Sequence, residues 1–289
     1  MVNPSGKARP ARPARPARIV LFAAVSFAAV SFAAVSFAAV PVPAQETKIR
    51  VAAAANLTGV LPKIVDAFVR ARPRTGVETS FGSSGALAAQ IRSGAPFDAF
   101  LSADVEQAAR LASEGYADIA SGGAVVYATG VLCVASRHGV DPSGGLGFLL
   151  GPAYRSIAIA EPKLAPYGAA AMDALEKAGL APWLSGRFAY GSNLSQAVQF
   201  VRTGAADAGF INLSAVLGDP AFSGISWAKV DPSLYAPIEQ AGLVLKSDGR
   251  GANPEARLET ARSFMAFLRG PEGQAVLGAA GYALNPGGT

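Results

Sequence analysis

VETSFGSSGALAAQIRSGAPFDAFLSADVEQAARLASEG, residues 77–115, decides the fold. Residues 77–81 open it with a β-branched and aromatic run suited to a strand. Residues 86–92 are dense in helix formers and stop at SGAP. Residues 98–102 (DAFLS) return to a short apolar strand, and 105–114 read as a second helix closed by Gly115. Strand and helix alternating over short links predict a parallel sheet, because parallel neighbours need a crossover between them.

The same alternation extends both ways. Residues 48–54 (KIRVAAA) read as a buried strand. Leu57, Val60, Leu61, Ile64, Val65, Phe68 and Val69 then recur at helical spacing. Pro62 confines regular bonding in that helix to its later turns. Downstream, strands are predicted at 124–135, 156–160, 206–211 and 241–246. Helices are predicted at 168–177, 195–203, 255–268 and 272–279, the first two closed by Gly179 and Gly204. The chain thus leaves one α/β unit near 135 and re-enters it near 235, and two crossings make a hinge. The expected layout is a first lobe of 45–134 and 233–289 and a second lobe of 135–232.

Residues 1–44 are set apart. Lys7, Arg9, Arg12, Arg15 and Arg18 precede an uncharged stretch, 19–40, built from four copies of FAAV. PVPA follows and ends at Ala44. This is the pattern of an export signal, with cleavage expected after Ala44 and a periplasmic destination. An apolar stretch of that length could also span a bilayer, so retention as an anchor stays open. Without these residues, twenty Lys and Arg face twenty Asp and Glu. That balance offers no basic surface for nucleic acid. The single cysteine, Cys133, cannot form an internal disulfide and reads as core.

Four stretches place a small polar or glycine-rich turn before a helix: AAAANLTGVL (52–61), GSSGALAAQI (82–91), APYGAAAMDAL (165–175) and GSNLSQAVQFV (191–201). A helix start presents unpaired N–H groups and the positive end of the dipole, which suits an anion. Asn56 is expected at an N-cap with a side chain free to donate, and Ser84 adds a hydroxyl. Tyr167 and Leu194 are expected to offer main-chain amides. None of the four stretches contains Lys, Arg or His near its turn. A dehydrated dianion held by neutral donors needs many of them, and four convergent helix starts could supply them.

Residues 47–289 resemble the periplasmic molybdate-binding proteins, the soluble receptors of molybdate ABC importers. AAAANLT, SFGSSGALAAQIRSGAPFDAFLSAD, IAIAEPKLAPYG, GAADAGFINL and RGPEGQAV with AAGYAL carry the likeness. The resemblance implies a two-lobed α/β type II periplasmic-binding fold, each lobe a mostly parallel sheet flanked by helices. It also implies a monomeric receptor that binds molybdate or tungstate through Asn56, Ser84, Tyr167 and Leu194. No protein ligation of a metal cation and no cofactor are implied. The expected partner is a membrane permease. Many members carry Ser in place of Asn56, and many place a Tyr hydroxyl where this chain has Asn212, so a ligand contact from Asn212 stays open.

Two other readings compete. A receptor for sulfate, phosphate or a small organic acid would share the fold. An exported hydrolase would use Ser84 as nucleophile with His138, the chain's sole histidine, but it lacks the G-x-S-x-G elbow.

Overall fold

The computed structural model describes residues 46–249 and 252–284, so the leader expected at 1–44 lies outside the described residues. Strands β1 (Thr47–Ala54), β2 (Thr75–Gly82) and β3 (Ala99–Ser102) alternate with helices α1 (Leu61–Ala71), α2 (Ser84–Arg92) and α3 (Val105–Ser113). β4 (Val125–Gly130) and β5 (Leu132–Ser136) follow, then β6 (Ile157–Ala160), α4 (Pro166–Lys177), α5 (Ala181–Leu184) and β7 (Phe188–Gly191). α6 (Leu194–Thr203), β8 (Ala208–Asn212), α7 (Leu213–Gly218) and β9 (Ser226–Lys229) complete the second unit. β10 (Ile238–Val244), α8 (Pro254–Arg269) and α9 (Pro271–Ala279) return to the first.

The strands form two five-stranded sheets, ordered β2-β1-β3-β10-β4 and β7-β6-β8-β5-β9. In each, the first three strands are parallel, and the fourth, supplied across a crossing, pairs antiparallel. The result is the two-lobed α/β fold with two mixed sheets, in each of which four of the five strands run the same way. Its first crossing differs from expectation. The apolar run 124–135 is two strands, β4 in the first sheet and β5 in the second, joined through Val131. A boundary after 134 would cut β5, so the crossing sits earlier, at Gly130 and Val131. The reason is steric. A Cβ on Gly130 would overlap the Tyr167 hydroxyl and lie 2.9 Å from Gln240 Nε2. Glycine leaves room for the tips of both side chains where the chain changes sheets, and a larger residue would push them aside.

β1 shows why a continuous apolar run forms a central strand. Ile49, Val51 and Ala53 face one core with Phe68, Phe264 and Leu268. Ala52 faces another with Leu87, Phe100 and Leu111. Burial on both faces removes the polar alternation that a half-exposed strand would show. Cys133 is buried in β5, and burial pushes its thiol up to about 12, so it stays an inert core residue.

Candidate functional site

Backbone register builds the site. Ala54 pairs with Gly82 at the ends of β1 and β2, and Ala160 pairs with Gly191 at the ends of β6 and β7. Two level pairs of strand ends therefore face the space between the lobes. The chain just beyond each end carries one of the anticipated residues: Asn56 after β1, Ser84 after β2, Tyr167 after β6 and Leu194 after β7. Ligands of open α/β sheets bind outside the carboxyl ends of strands for the same reason, since the loops there are free to turn inward.

All four residues line one cavity, with Ala55, Ser83, Ala103 and Pro166 among its other walls. Its volume is about 10 Å³. That is room for about one water-sized sphere, whereas organic solutes occupy pockets of about 300 Å³ or more. Of the described residues, no Asp, Glu, Lys, Arg or His belongs to the wall. Among the described residues, three buried side-chain polar atoms lack a hydrogen-bond partner: Asn56 Oδ1, Ser83 Oγ and Tyr167 Oη. All three belong to residues of this wall. Buried polar groups are otherwise satisfied almost without exception, so three such atoms on residues of one wall single this cavity out, with the Tyr167 hydroxyl itself lying against Gly130.

The helix starts differ from one another in instructive ways. Ser83 is the N-cap of α2, in extended backbone, yet its side chain makes no capping bond. Its hydroxyl is therefore unspent. Ser84, the residue anticipated from sequence, is the more committed of the pair: its Oγ accepts the Ala103 amide at 3.0 Å. The same hydroxyl helps steady Asp104, whose carboxyl is raised by burial and held back by Gln107, Ser102 and Ser84. In GSSG the sequence alone does not say which of the two serines caps, so nothing local distinguishes Ser83 from Ser84.

At α4 the amides of Gly168 and Ala169 both bond to Ala165 O, at 2.8 and 3.1 Å. Pro166 has no N–H, which leaves the Tyr167 amide outside this pattern. Burial holds the Tyr167 hydroxyl well above the ordinary phenol range, with Tyr282 and Tyr127 adding to the effect, so it remains a neutral group. At α6, Asn193 caps by accepting from Gln196 N at 3.1 Å. The cap takes the third amide and leaves those of Leu194 and Ser195 at the helix start.

Asn56 departs most from expectation. It does not cap α1, which begins at Leu61 with Pro62 in its first turn; it sits inside a 3-10 turn, Ala55–Leu57. Three α-helix starts, not four, therefore meet the cavity, together with this turn. Nor does the Asn56 amide donate outward. Its Nδ2 reaches Gln240 Oε1 at 2.8 Å and Tyr282 Oη at 3.0 Å. Gln240 Nε2 is in turn fixed on the Ile238 carbonyl at 3.2 Å, and a carbonyl can only accept, which orders the whole chain of amides. The donor Asn56 has left for the cavity is its main-chain N–H, while its side-chain Oδ1 is an unpartnered acceptor.

Asn212 and His138 also find their places. Asn212 Nδ2 binds Asn56 O at 3.1 Å and Ser214 Oγ, and the residue is not part of the cavity wall. His138 lies on the exposed face of the second lobe, with Nε2 3.0 Å from Asp207, and takes no part in the cavity beside Ser84. A serine nucleophile thus has no histidine base in this site.

A family model described as bacterial extracellular solute-binding protein matches residues 49–283. The chain is 38% identical over 243 residues to the molybdate-binding protein ModA of Azotobacter vinelandii, covering 83% of this chain and 92% of that one. It is 36% identical to the Rhodobacter capsulatus molybdate-binding protein ModA over 83% of this chain and 90% of the other. The solved periplasmic molybdate-binding protein of Azotobacter vinelandii superposes with a TM-score of 0.73 at 33% identity, over 82% of this chain and 99% of that one.

Proposed function

The chain belongs to the bacterial extracellular solute-binding proteins, and from that premise we propose that it captures molybdate between its lobes and delivers it to an ABC permease. What supports a small oxyanion is that residues of both lobes, three of them at α-helix starts, line one cavity whose wall, among the described residues, carries no Asp, Glu, Lys, Arg or His and includes Ser83 with its unspent hydroxyl. Hydrogen bonds to an ionised group contribute about 1.5–3 kcal/mol each, roughly double a neutral pair. Several neutral donors can therefore offset the loss of water around a dianion without a fixed positive charge.

Both lobes are needed for the full donor set, so the ion favours the closed arrangement over the open one by the contacts closure adds. Charge cannot separate molybdate from sulfate, because both are tetrahedral dianions. Discrimination is assigned to the spacing of the donors, which would suit the longer Mo–O bonds better than the shorter S–O bonds once the cavity, about 10 Å³ as it stands, widens to admit an ion. Tungstate, of the same shape and charge, is included in the proposal. The export pattern of 1–44 supports a periplasmic receptor freed by cleavage after Ala44, and a monomer is the working unit of this proposal. The relatives' names are those of binding proteins, and the site has no nucleophile–base pair, so no catalytic role is assigned.

Calorimetric titration with molybdate, tungstate, sulfate and phosphate tests this. Molybdate should bind one ion per chain, and Ser84→Ala should weaken it by about 1–3 kcal/mol, the range for a hydrogen bond to a charged group. Hydrogen phosphate is the stringent control, because it brings a proton that the unpartnered Asn56 Oδ1 could accept. Phosphate binding more tightly than molybdate would overturn the ligand assignment, and unchanged affinity in Ser84→Ala would remove that residue from the site.

A further inference from the structure

The carbonyl oxygen of Asn56 is clasped from both lobes. From the first lobe Tyr282 Oη donates to it at 2.9 Å, itself held by Asn56 Nδ2. From the second, Asn212 Nδ2 reaches it at 3.1 Å and Ser214 Oγ at 3.3 Å. Next to it, Ser195 Oγ meets the Ala55 carbonyl at 3.0 Å and Thr58 Oγ1 at 2.9 Å. Asn56, Asn212, Ser214, Gln240 and Tyr282 are all buried, so the bonds to the Asn56 carbonyl are shielded from water, whereas those of Ser195 are part-exposed.

In a planar trans peptide the C=O and N–H point in opposite directions. Fixing the carbonyls of Ala55 and Asn56 therefore also fixes the amides of Asn56 and Leu57, aimed away from the clasping side chains. We propose that Asn212, Ser214 and Ser195 are positioning residues for ion capture: without touching the ligand, they seat the 55–57 turn when the lobes shut and so set how long the ion is held. Tyr282 and Gln240 form the fixed half of the device, because they move with Asn56. The three second-lobe groups form the half that departs on opening. The hydrogen-bonded carbonyls also polarise their peptides, which strengthens the N–H groups on the far side. The proposal rests on the oxyanion reading of the cavity, and its test separates the two.

The test compares wild type with the Asn212→Ala/Ser214→Ala double variant. Stopped-flow mixing with molybdate gives both rate constants, and small-angle scattering of the ligand-free proteins reports lobe opening. Loss of two net hydrogen bonds of ordinary strength should speed dissociation about tenfold. Association should stay within about threefold, since encounter precedes closure. Dissociation within twofold of wild type would overturn the proposal. If the double variant fails to fold, Ser195→Ala removes the half-buried member, with dissociation expected about threefold faster. An unchanged rate there overturns the proposal equally. Should wild type bind no oxyanion, the ligand reading falls by itself. The clasp is then judged by scattering: a more open double variant supports it, and identical profiles refute it.

Discussion

Gly168→Ala is expected to abolish tight ion capture and to lower stability by about 3 kcal/mol, at the upper end of what overpacking costs. A Cβ at this position would overlap the Ala160 carbonyl oxygen and lie 2.8 Å from its carbon and 3.2 Å from Pro162 N. These are backbone atoms at the end of β6, with no rotamer through which to yield. The start of α4 must back away from the strand, and Tyr167, its neighbour on the cavity wall, moves with it. A displacement on the order of 1 Å in a preorganised site can cost about a hundredfold. Thermal unfolding and titration of the variant check both parts. A variant with wild-type affinity would mean that the position of α4 does not matter to the site.

The second large effect isolates a main-chain donor. Leu194 is the first residue of α6, and Asn193 before it is extended, with φ −157° and ψ 176°. Proline is tolerated at a first helical position, and an extended residue before it avoids a clash. Leu194→Pro therefore deletes one N–H while keeping the helix. Leu194→Ala keeps the N–H and removes a buried side chain. The proline variant should lose about 10- to 100-fold in molybdate affinity, the equivalent of one charge-assisted hydrogen bond. The alanine variant should stay within about threefold, although it loses more packing. Equal losses in the two variants would show that the side chain, not the amide, matters at this position.

Sequence carried most of this architecture because the informative features are local. Buried parallel strands read as apolar runs, and their helices announce themselves by spacing and by closing glycines such as Gly115, Gly179 and Gly204. The two strands missing from that reading, β7 and β9, are four-residue edge strands, FAYG and SWAK, half exposed over most of their length and too short to show a period. The split of 124–135 was hidden because strands that meet end to end, in different sheets, share one unbroken apolar run. Gly130 was the only punctuation, and its reason lies in Tyr167, far along the chain.

The site divides in the same way. Asn56, Ser84, Tyr167 and Leu194 were recognisable because each follows a strand end at a helix or turn start, and β-register brings those ends level. The direction in which Asn56 spends its amide was not legible. It depends on Gln240 and Tyr282, 184 and 226 residues away in sequence. The clasp by Asn212 and Ser214 was hidden for the same reason, since no local pattern marks a side chain that binds a distant carbonyl. Ser83 was a choice between adjacent serines that only the unused cap resolves.

Diffraction from crystals grown with molybdate, recorded at the molybdenum absorption edge, tests the central claim most directly. An anomalous map should show a single peak in the cavity between Ser84 and Leu194, within hydrogen-bonding reach of amides from both lobes. A peak on an outer surface, with none between the strand ends, would contradict it.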